Sequence, residues 1–131
     1  MTKEHSGLVA AAALSLGLGV ALGAFGAHGL RNALAPAALG WWQTGVSYQM
    51  WHGLALLAIG AGRIERAALP AFLLGVGTLI FSGSLYLMAL TDMRWLGAIT
   101  PVGGLLMIAG WILLAWRAWL SPPGRRPPPS S

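Results

Sequence analysis

Two histidines, His28 and His52, carry the most versatile side chains in this chain of 131 residues. An imidazole ring can ligate haem iron or a metal ion and can also transfer protons. Metal sites combine several ligands, however, and neither histidine has a carboxylate close by in sequence, while the chain has no cysteine. A haem or metal site near the outer face stays an alternative. We expect both histidines to make structural contacts, and we expect no cofactor.

Two serines, Ser82 and Ser84, are the candidate nucleophiles. A catalytic serine needs a neighbouring base, a group that orients this base and, in many hydrolases, a strained turn. The sequence around the two serines indicates none of these. Hydroxyl groups in apolar helices more often bond a neighbouring helix or a backbone carbonyl of their own helix. We therefore expect no catalytic residue and no enzyme activity.

The composition indicates a protein embedded in lipid. The chain is 56% hydrophobic and 8% charged, whereas soluble domains have roughly 25% charged residues. A soluble domain of this size leaves much of its surface in water, so it could not hide this much apolar surface. The composition thus excludes a soluble enzyme. The eight Lys and Arg residues are too few and too scattered for a phosphate-binding surface, so we expect no nucleic-acid partner.

Charged residues divide the chain into four long uncharged stretches. Each stretch can supply the roughly 20 apolar residues that cross a bilayer, and helices satisfy their own backbone hydrogen bonds in lipid. The sequence therefore predicts an all-α, polytopic membrane protein, a compact bundle of four transmembrane helices within residues 1–120. The predicted spans are residues 7–28, 47–62, 70–90 and 96–116.

The distribution of basic residues predicts the orientation of these spans. With the N-terminus in the cytoplasm, six Lys or Arg residues lie on the inner side and two on the outer side, which favours cytoplasmic N- and C-termini. Residues 36–46, which contain Trp41 and Trp42, are expected to form a short interfacial helix before the second span, or to continue into it. The Pro- and Arg-rich segment 121–131 is predicted to be disordered.

Small residues recur at helical spacing within three of the spans. Such stripes let helix backbones approach closely in lipid. The alternative interpretation is a ligand slot beside a bare backbone. The glycines that we expect at helix–helix contacts are Gly19, Gly23, Gly26, Gly75, Gly103 and Gly110.

Uncharged polar residues are concentrated toward the outer ends of the predicted spans. Polar side chains are costly in lipid and often functional, so these residues form a candidate functional cluster. Because they lie at one depth, they argue against a channel through a single subunit. The members are His28, Gln43, Tyr48, Gln49, His52, Ser82, Ser84 and Tyr86.

Four segments in order resemble domain-of-unknown-function family 423. The segments are GAFGAHGL at 23–30, WQTGVSYQMWH at 42–52, FSGSLYLMALT at 81–91 and ITPVGG at 99–104, followed by Gly110–Trp111. The resemblance covers roughly residues 7–116, and all eight cluster residues match its motifs. It implies a small four-helix protein of the bacterial inner membrane without an established activity. Trp51 departs from the family pattern, which favours a smaller aromatic residue there.

Three functions stay open at the level of sequence. The first is a non-enzymatic structural or accessory subunit in the lipid bilayer, packed against itself or against another membrane protein. The second is a protein that binds or transports a small molecule or a lipid by means of the polar cluster in the outer half of the membrane. The third, an enzyme or redox subunit, depends on the two histidines alone.

Overall fold

The computed structural model describes residues 2–121 and residue 124, and these residues form four long α-helices and no strand. The all-α prediction is therefore confirmed. The helices are α1 (Lys3–His28), α2 (Pro36–Ala61), α3 (Ala68–Thr91) and α4 (Thr100–Leu120), with a 3₁₀ helix over Arg94–Ala98 before α4. Apart from Ser121 and Gly124, the segment predicted to be disordered lies outside the described residues.

The helices begin and end at residues with clear local roles. Thr2 caps α1, since its hydroxyl accepts a hydrogen bond from the His5 N–H. Prolines stand in the first turns of α2 and α4, where a missing N–H costs nothing. Asp92 ends α3 in the left-handed conformation, with φ of 55°, and its N–H donates to the Met88 carbonyl.

Residues 36–46 take the second of the two predicted forms. They do not form a separate interfacial helix but are the first turns of α2, one continuous helix of 26 residues. Trp42 in these turns is 3% exposed. Its indole N–H donates to the Leu22 carbonyl of α1 at 2.9 Å, so this tryptophan packs between helices.

The helices pack in the order of the chain, α1 on α2, α2 on α3 and α3 on α4. The backbones of α1 and α4 do not approach each other anywhere in these four helices. The helices therefore form a row with α1 and α4 at its edges. The physical reason is that the glycine face of each terminal helix is already occupied by one neighbour, which leaves the opposite face of α1 and of α4 free. The row is compact, because Leu8 of α1 packs against the same apolar cluster that contains Ile59 of α2 and Met107 of α4.

Three segments are long and apolar enough to cross a membrane: α1, α3 and Arg94–Leu120. Helix α2 has 26 residues, as many as α1. This number corresponds to a length of about 39 Å at 1.5 Å per residue. It carries no charged residue but is less apolar, because polar side chains fill the middle of the helix.

Glycines bring the backbones of α3 and α4 into direct contact. A Cβ atom on Gly103 would lie 2.5 Å from the Phe81 nitrogen and 2.6 Å from the Gly77 carbonyl oxygen. Further along α4, a Cβ atom on Gly110 would lie 3.0 Å from the Leu74 side chain. This is the close approach that small residues permit in lipid.

The other predicted glycines lie on α1 and α3. A Cβ on Gly19 would meet the Met50 sulfur at 2.6 Å, and one on Gly26 would meet the Trp42 ring at 2.6 Å. The contacts at two further positions are looser: a Cβ would lie 3.4 Å from Val46 at Gly23 and 3.8 Å from Leu56 at Gly75.

Candidate functional site

Gln49 lies at the centre of the polar cluster and links three helices. Its side chain is 6% exposed. The amide Nε2 donates to the Ser15 carbonyl of α1 at 2.8 Å, and Oε1 accepts from the Tyr86 hydroxyl of α3 at 2.7 Å. An amide offers both a donor and an acceptor, which is why one glutamine can bond two helices on opposite sides of α2.

Ser82 makes a second link between α2 and α3. Its hydroxyl donates to the Gly45 carbonyl at 2.7 Å. Gly45 is required here, since a Cβ would lie 2.8 Å from the Tyr86 ring. Gly45 is not among the glycines predicted at helix contacts, although Gly45, Gln49 and Gly53 recur every four residues along α2, a spacing that indicates one helix face.

Ser84 connects α3 to α4. Its hydroxyl shares a hydrogen bond of 2.7 Å with the Thr100 hydroxyl in the first turn of α4, and both side chains are buried. Each hydroxyl also lies within hydrogen-bond distance of a backbone carbonyl, Ser84 of Phe81 at 2.9 Å and Thr100 of Leu96 at 3.2 Å. Because each hydroxyl has one proton, one of them donates to the other hydroxyl while the other donates to its carbonyl. Neither serine lies beside a base with an orienting carboxylate in these contacts, so the two hydroxyls hold helices together.

His52 joins α2 to α4 through both ring nitrogens. The Trp111 indole N–H donates to Nε2 at 3.1 Å, and Nδ1 lies 2.9 Å from the Tyr48 carbonyl oxygen. An indole N–H can only donate and a carbonyl can only accept. The contacts therefore require a neutral ring with the proton on Nδ1, and both ring nitrogens have partners within the chain.

We expect Trp111→Phe to remove the hydrogen bond at Nε2 of His52 and to leave the proton on Nδ1, because the Tyr48 carbonyl still accepts from Nδ1. The ¹⁵N NMR spectrum of the imidazole should show protonated Nδ1 and bare Nε2 in both proteins. The Nε2 signal should move to higher chemical shift in the variant, since its donor is lost. Trp119→Phe is the matched control on the same helix, because Trp119 is 86% exposed. An Nε2-protonated ring in the unsubstituted protein would contradict this assignment.

The two histidines do not share a site. His28 is exposed at the last residue of α1. His52 precedes Gly53, where a Cβ would lie 2.9 Å from Leu16 of α1. Leu16, which lies at the level of Gly53, is twelve residues before His28 in α1. The two histidines are therefore separated by roughly 18 Å along the helix.

The remaining cluster residues are less involved. Gln43 is exposed and lines a shallow groove of about 200 Å³ between α1 and α2. Tyr48 is half-buried, and its ring packs on Phe81 with 4.4 Å between ring centroids. The structure thus gathers Gln49, His52, Ser82, Ser84 and Tyr86 between the helices, with Tyr48 beside them, and leaves His28 and Gln43 on the surface.

The bounds of α1 and α2 give the position of the cluster along the helices. Because α2 begins at Pro36 and not at Ser47, Gln49 lies at the midpoint of α2 and His52 beyond it. Ser15, the partner of Gln49, is likewise at the midpoint of α1. The polar contacts therefore extend from the end with the α1–α2 loop to the middle of the helices.

Among the residues that the structure describes, no buried side-chain nitrogen or oxygen lacks a hydrogen-bond partner. The same residues contain no group of three or more His, Cys, Asp or Glu side chains placed to hold a metal ion. The arrangement binds helix to helix, and its donors and acceptors are already used within the chain.

Comparison with known proteins gives the family. The family model described as Protein of unknown function (DUF423) matches residues 22–104. The chain belongs to the DUF423 family. A UPF0382 membrane protein of Staphylococcus saprophyticus is 50% identical over 105 residues, which are 78% of this chain and 88% of the relative. The UPF0382 inner membrane protein YgdD of Escherichia coli is 43% identical over 107 residues, 79% and 82% of the two chains.

The resemblance stated from the four sequence segments is thus confirmed, and no solved structure matches the chain. The matched region contains Gln49, Tyr86 and the Ser84–Thr100 pair, but not Ser15 or Trp111. Ser15 offers only its backbone carbonyl to Gln49, so that link does not depend on the residue at position 15. The DUF423 relatives are membrane proteins whose names state no activity.

Proposed function

We propose that this DUF423 protein is a non-enzymatic structural or accessory protein of the bacterial inner membrane that assembles with copies of itself. The observation that carries the proposal is the use of the buried polar groups. They are partnered within the chain, while α1 and α4 keep free faces. A ligand-binding or transport function would have to break these contacts first.

The membrane location is supported by two observations. The relative YgdD is named an inner membrane protein, and three segments of this chain are long and apolar enough to cross a bilayer. We propose α2 as the fourth span, because lipid-exposed backbone must be hydrogen-bonded and α2 is continuous and free of charged residues over its full length. Even numbers of spans place both termini on one side, and the basic residues favour the cytoplasm.

Single-cysteine variants test this topology, since the chain has no cysteine of its own. Ala33 lies in the α1–α2 loop and Glu65 in the α2–α3 loop, and both are exposed. A maleimide that does not cross membranes should label Ala33→Cys in intact spheroplasts and Glu65→Cys only after lysis. The reverse pattern, or labelling of both positions before lysis, would contradict the proposed arrangement.

Self-association is supported by the free face of α1. Ala10, Ala13, Gly17, Ala21 and Ala24 are all exposed and fall within an arc of about 80° at 100° per residue. This face is opposite the glycines that pack on α2. The free face of α4 differs, since it carries bulky side chains such as Leu105 and Ile112, 66% and 64% exposed. Small residues suit contact with another helix, whereas bulky apolar residues suit lipid.

Disulfide cross-linking in native membranes tests the self-association. Under mild oxidation, Gly17→Cys should give a covalent dimer, because two α1 helices in contact bring the same position together. Ile112→Cys on the free face of α4 is the control and should stay monomeric. Absence of a Gly17→Cys dimer, or equal dimer from both positions, would contradict association through α1. A cross-link from Gly17→Cys to a different protein would favour an accessory subunit.

A further inference from the structure

An apolar groove of about 340 Å³ lies between the first turns of α1 and α3. It is at the end of the row that carries the α2–α3 loop. Its floor is formed by Ile59, Ala67 and Ala71, which are all buried. Leu8 of α1 forms one wall, and Phe72 of α3, which is 63% exposed, forms the other.

The groove follows from the packing of the helices. A Cβ on Gly60 of α2 would lie 2.9 Å from the Val9 side chain and 3.3 Å from the Val9 nitrogen, so α1 is drawn close to α2 at this level. The backbones of α1 and α3 do not approach each other in the described helices, although Leu8 of α1 reaches the apolar cluster that contains Ala71. Between the walls formed by Leu8 and Phe72, the α3 residues Ala68 and Ala71 are small, which leaves the groove open among the described residues.

The α2–α3 loop beside the groove carries two arginines. Ile64 and Ala67 of this loop line the groove together with the carboxylate-bearing Glu4, and the neighbouring loop residues Arg63 and Arg66 are exposed. Arg117 of α4 donates to the Arg66 carbonyl at 2.6 Å, which fixes the end of α4 to this loop. The described residues at this end comprise four basic and two acidic side chains: Lys3, Arg63, Arg66 and Arg117 against Glu4 and Glu65.

These positive charges are not neutralised within the described part of the chain. The single described ion pair, Asp92 with Arg94, lies at the opposite end of the row. A second groove at that opposite end, of about 390 Å³, includes this ion pair in its lining. Arg94 in this second groove therefore already has a carboxylate partner, Asp92. The guanidinium groups of Arg63 and Arg66 have no carboxylate partner in the described contacts.

We propose that the groove between α1 and α3 binds one phospholipid with an anionic headgroup. One acyl chain lies on Ile59, Ala67 and Ala71, and the phosphate lies beside Arg63 and Arg66. A bound acyl chain exchanges one hydrocarbon surrounding for another, so the groove holds it by van der Waals fit and not by the hydrophobic effect. The two arginines supply the preference for a negative headgroup. The carboxylate of Glu4 at the groove opposes the headgroup charge, but the four basic residues exceed it.

Native mass spectrometry of the full chain in detergent tests this proposal, with phosphatidylglycerol and phosphatidylcholine of identical acyl chains as the two probes. The unsubstituted protein should retain one phosphatidylglycerol under collision conditions that remove phosphatidylcholine. The double variant Arg63→Gln, Arg66→Gln should bind phosphatidylglycerol about 30-fold more weakly, the equivalent of two such charge contacts. Arg31→Gln, at the opposite end of the row, is the matched charge control and should leave the binding unchanged.

The apolar part of the site is tested separately. Ala68 is exposed and lines the groove, so Ala68→Phe should fill it and remove the bound phosphatidylglycerol, while the smaller Ala68→Leu should reduce the binding. An unchanged size-exclusion profile shows that each variant is folded. Equal retention of the two lipids by the unsubstituted protein would overturn the anionic preference. Undiminished phosphatidylglycerol binding by both Ala68 variants would overturn the groove as the site. Lipid is counted per chain, so the result is independent of self-association.

Discussion

Replacing Gly103 by alanine will push α4 away from α3 and lower the free energy of unfolding by about 1–3 kcal/mol, the usual cost of overpacking. The added Cβ would lie 2.5 Å from the Phe81 nitrogen and 2.6 Å from the Gly77 carbonyl oxygen, and both atoms belong to the backbone of α3. Backbone atoms within a hydrogen-bonded helix cannot rotate away as a side chain could. The whole helix must shift, which stretches the Ser84–Thr100 hydrogen bond close by. Equilibrium unfolding in detergent micelles measures the loss.

The neighbouring residue supplies the control for this experiment. A Cβ on Gly104 would have its nearest neighbour in the Phe81 ring at 3.8 Å, an ordinary contact. Gly104→Ala should therefore be neutral or should stabilise the protein by about 0.5–1 kcal/mol, since alanine loses less backbone entropy in a helix. Similar losses in the two variants would mean that α3 and α4 are not in backbone contact at Gly103.

Replacing Gln49 by leucine will lower the free energy of unfolding by about 1–3 kcal/mol. Leucine has nearly the same size but can neither donate to the Ser15 carbonyl nor accept from Tyr86. Two links of α2 are lost together, and the Tyr86 hydroxyl is left without a partner. Equilibrium unfolding in micelles is again the measurement, and increased proteolysis in membranes should accompany the loss.

Gln43→Leu provides the matched control on the same helix. Gln43 is exposed and makes no described hydrogen bond. Gln43→Leu therefore removes the same carboxamide group as Gln49→Leu but breaks no link between helices. Its effect on the unfolding free energy should stay within about 0.5 kcal/mol, as for other surface substitutions. Equal effects of the two substitutions would show that Gln49 does not connect the helices.

The sequence predicts the helices well because the physical signals for them are local. Uncharged stretches of about 20 apolar residues, first-turn prolines and the small residues on α1 and α4 each act within one helix. The positions of Gly19, Gly26 and Gly103 at helix contacts follow from spacing alone, because residues three or four apart share a face. The four sequence segments also lead to the DUF423 family, which is confirmed.

Sequence reasoning fails where a residue depends on partners far along the chain. Trp42 suits a membrane surface by its type, yet its indole reaches the Leu22 carbonyl, twenty residues earlier. Because Trp42 is thereby buried, the segment before Ser47 continues as α2, and this moves Gln49 to mid-helix. The pairing of His52 with Trp111 spans 59 residues, and no spacing rule within one helix predicts it.

The same limits apply to the overall packing. Stripes of small residues indicate that helices approach one another, but not which helices do so. They do not show whether the first and last helices are neighbours. In the described residues the backbones of α1 and α4 stay apart, so the small-residue face of α1 is available to a second copy.

If the buried polar side chains hold the helices together, the side chains of Gln49 and Tyr86 must be energetically coupled. The measurement is a double-mutant cycle on the free energy of unfolding with Gln49→Leu, Tyr86→Phe and the combined variant. If the Tyr86 hydroxyl donates to Gln49 as described, removing both groups should cost less than the sum of the single losses, with a coupling of about 1 kcal/mol. Strictly additive losses would contradict a direct link between these side chains and would reopen the polar cluster as a site for a ligand.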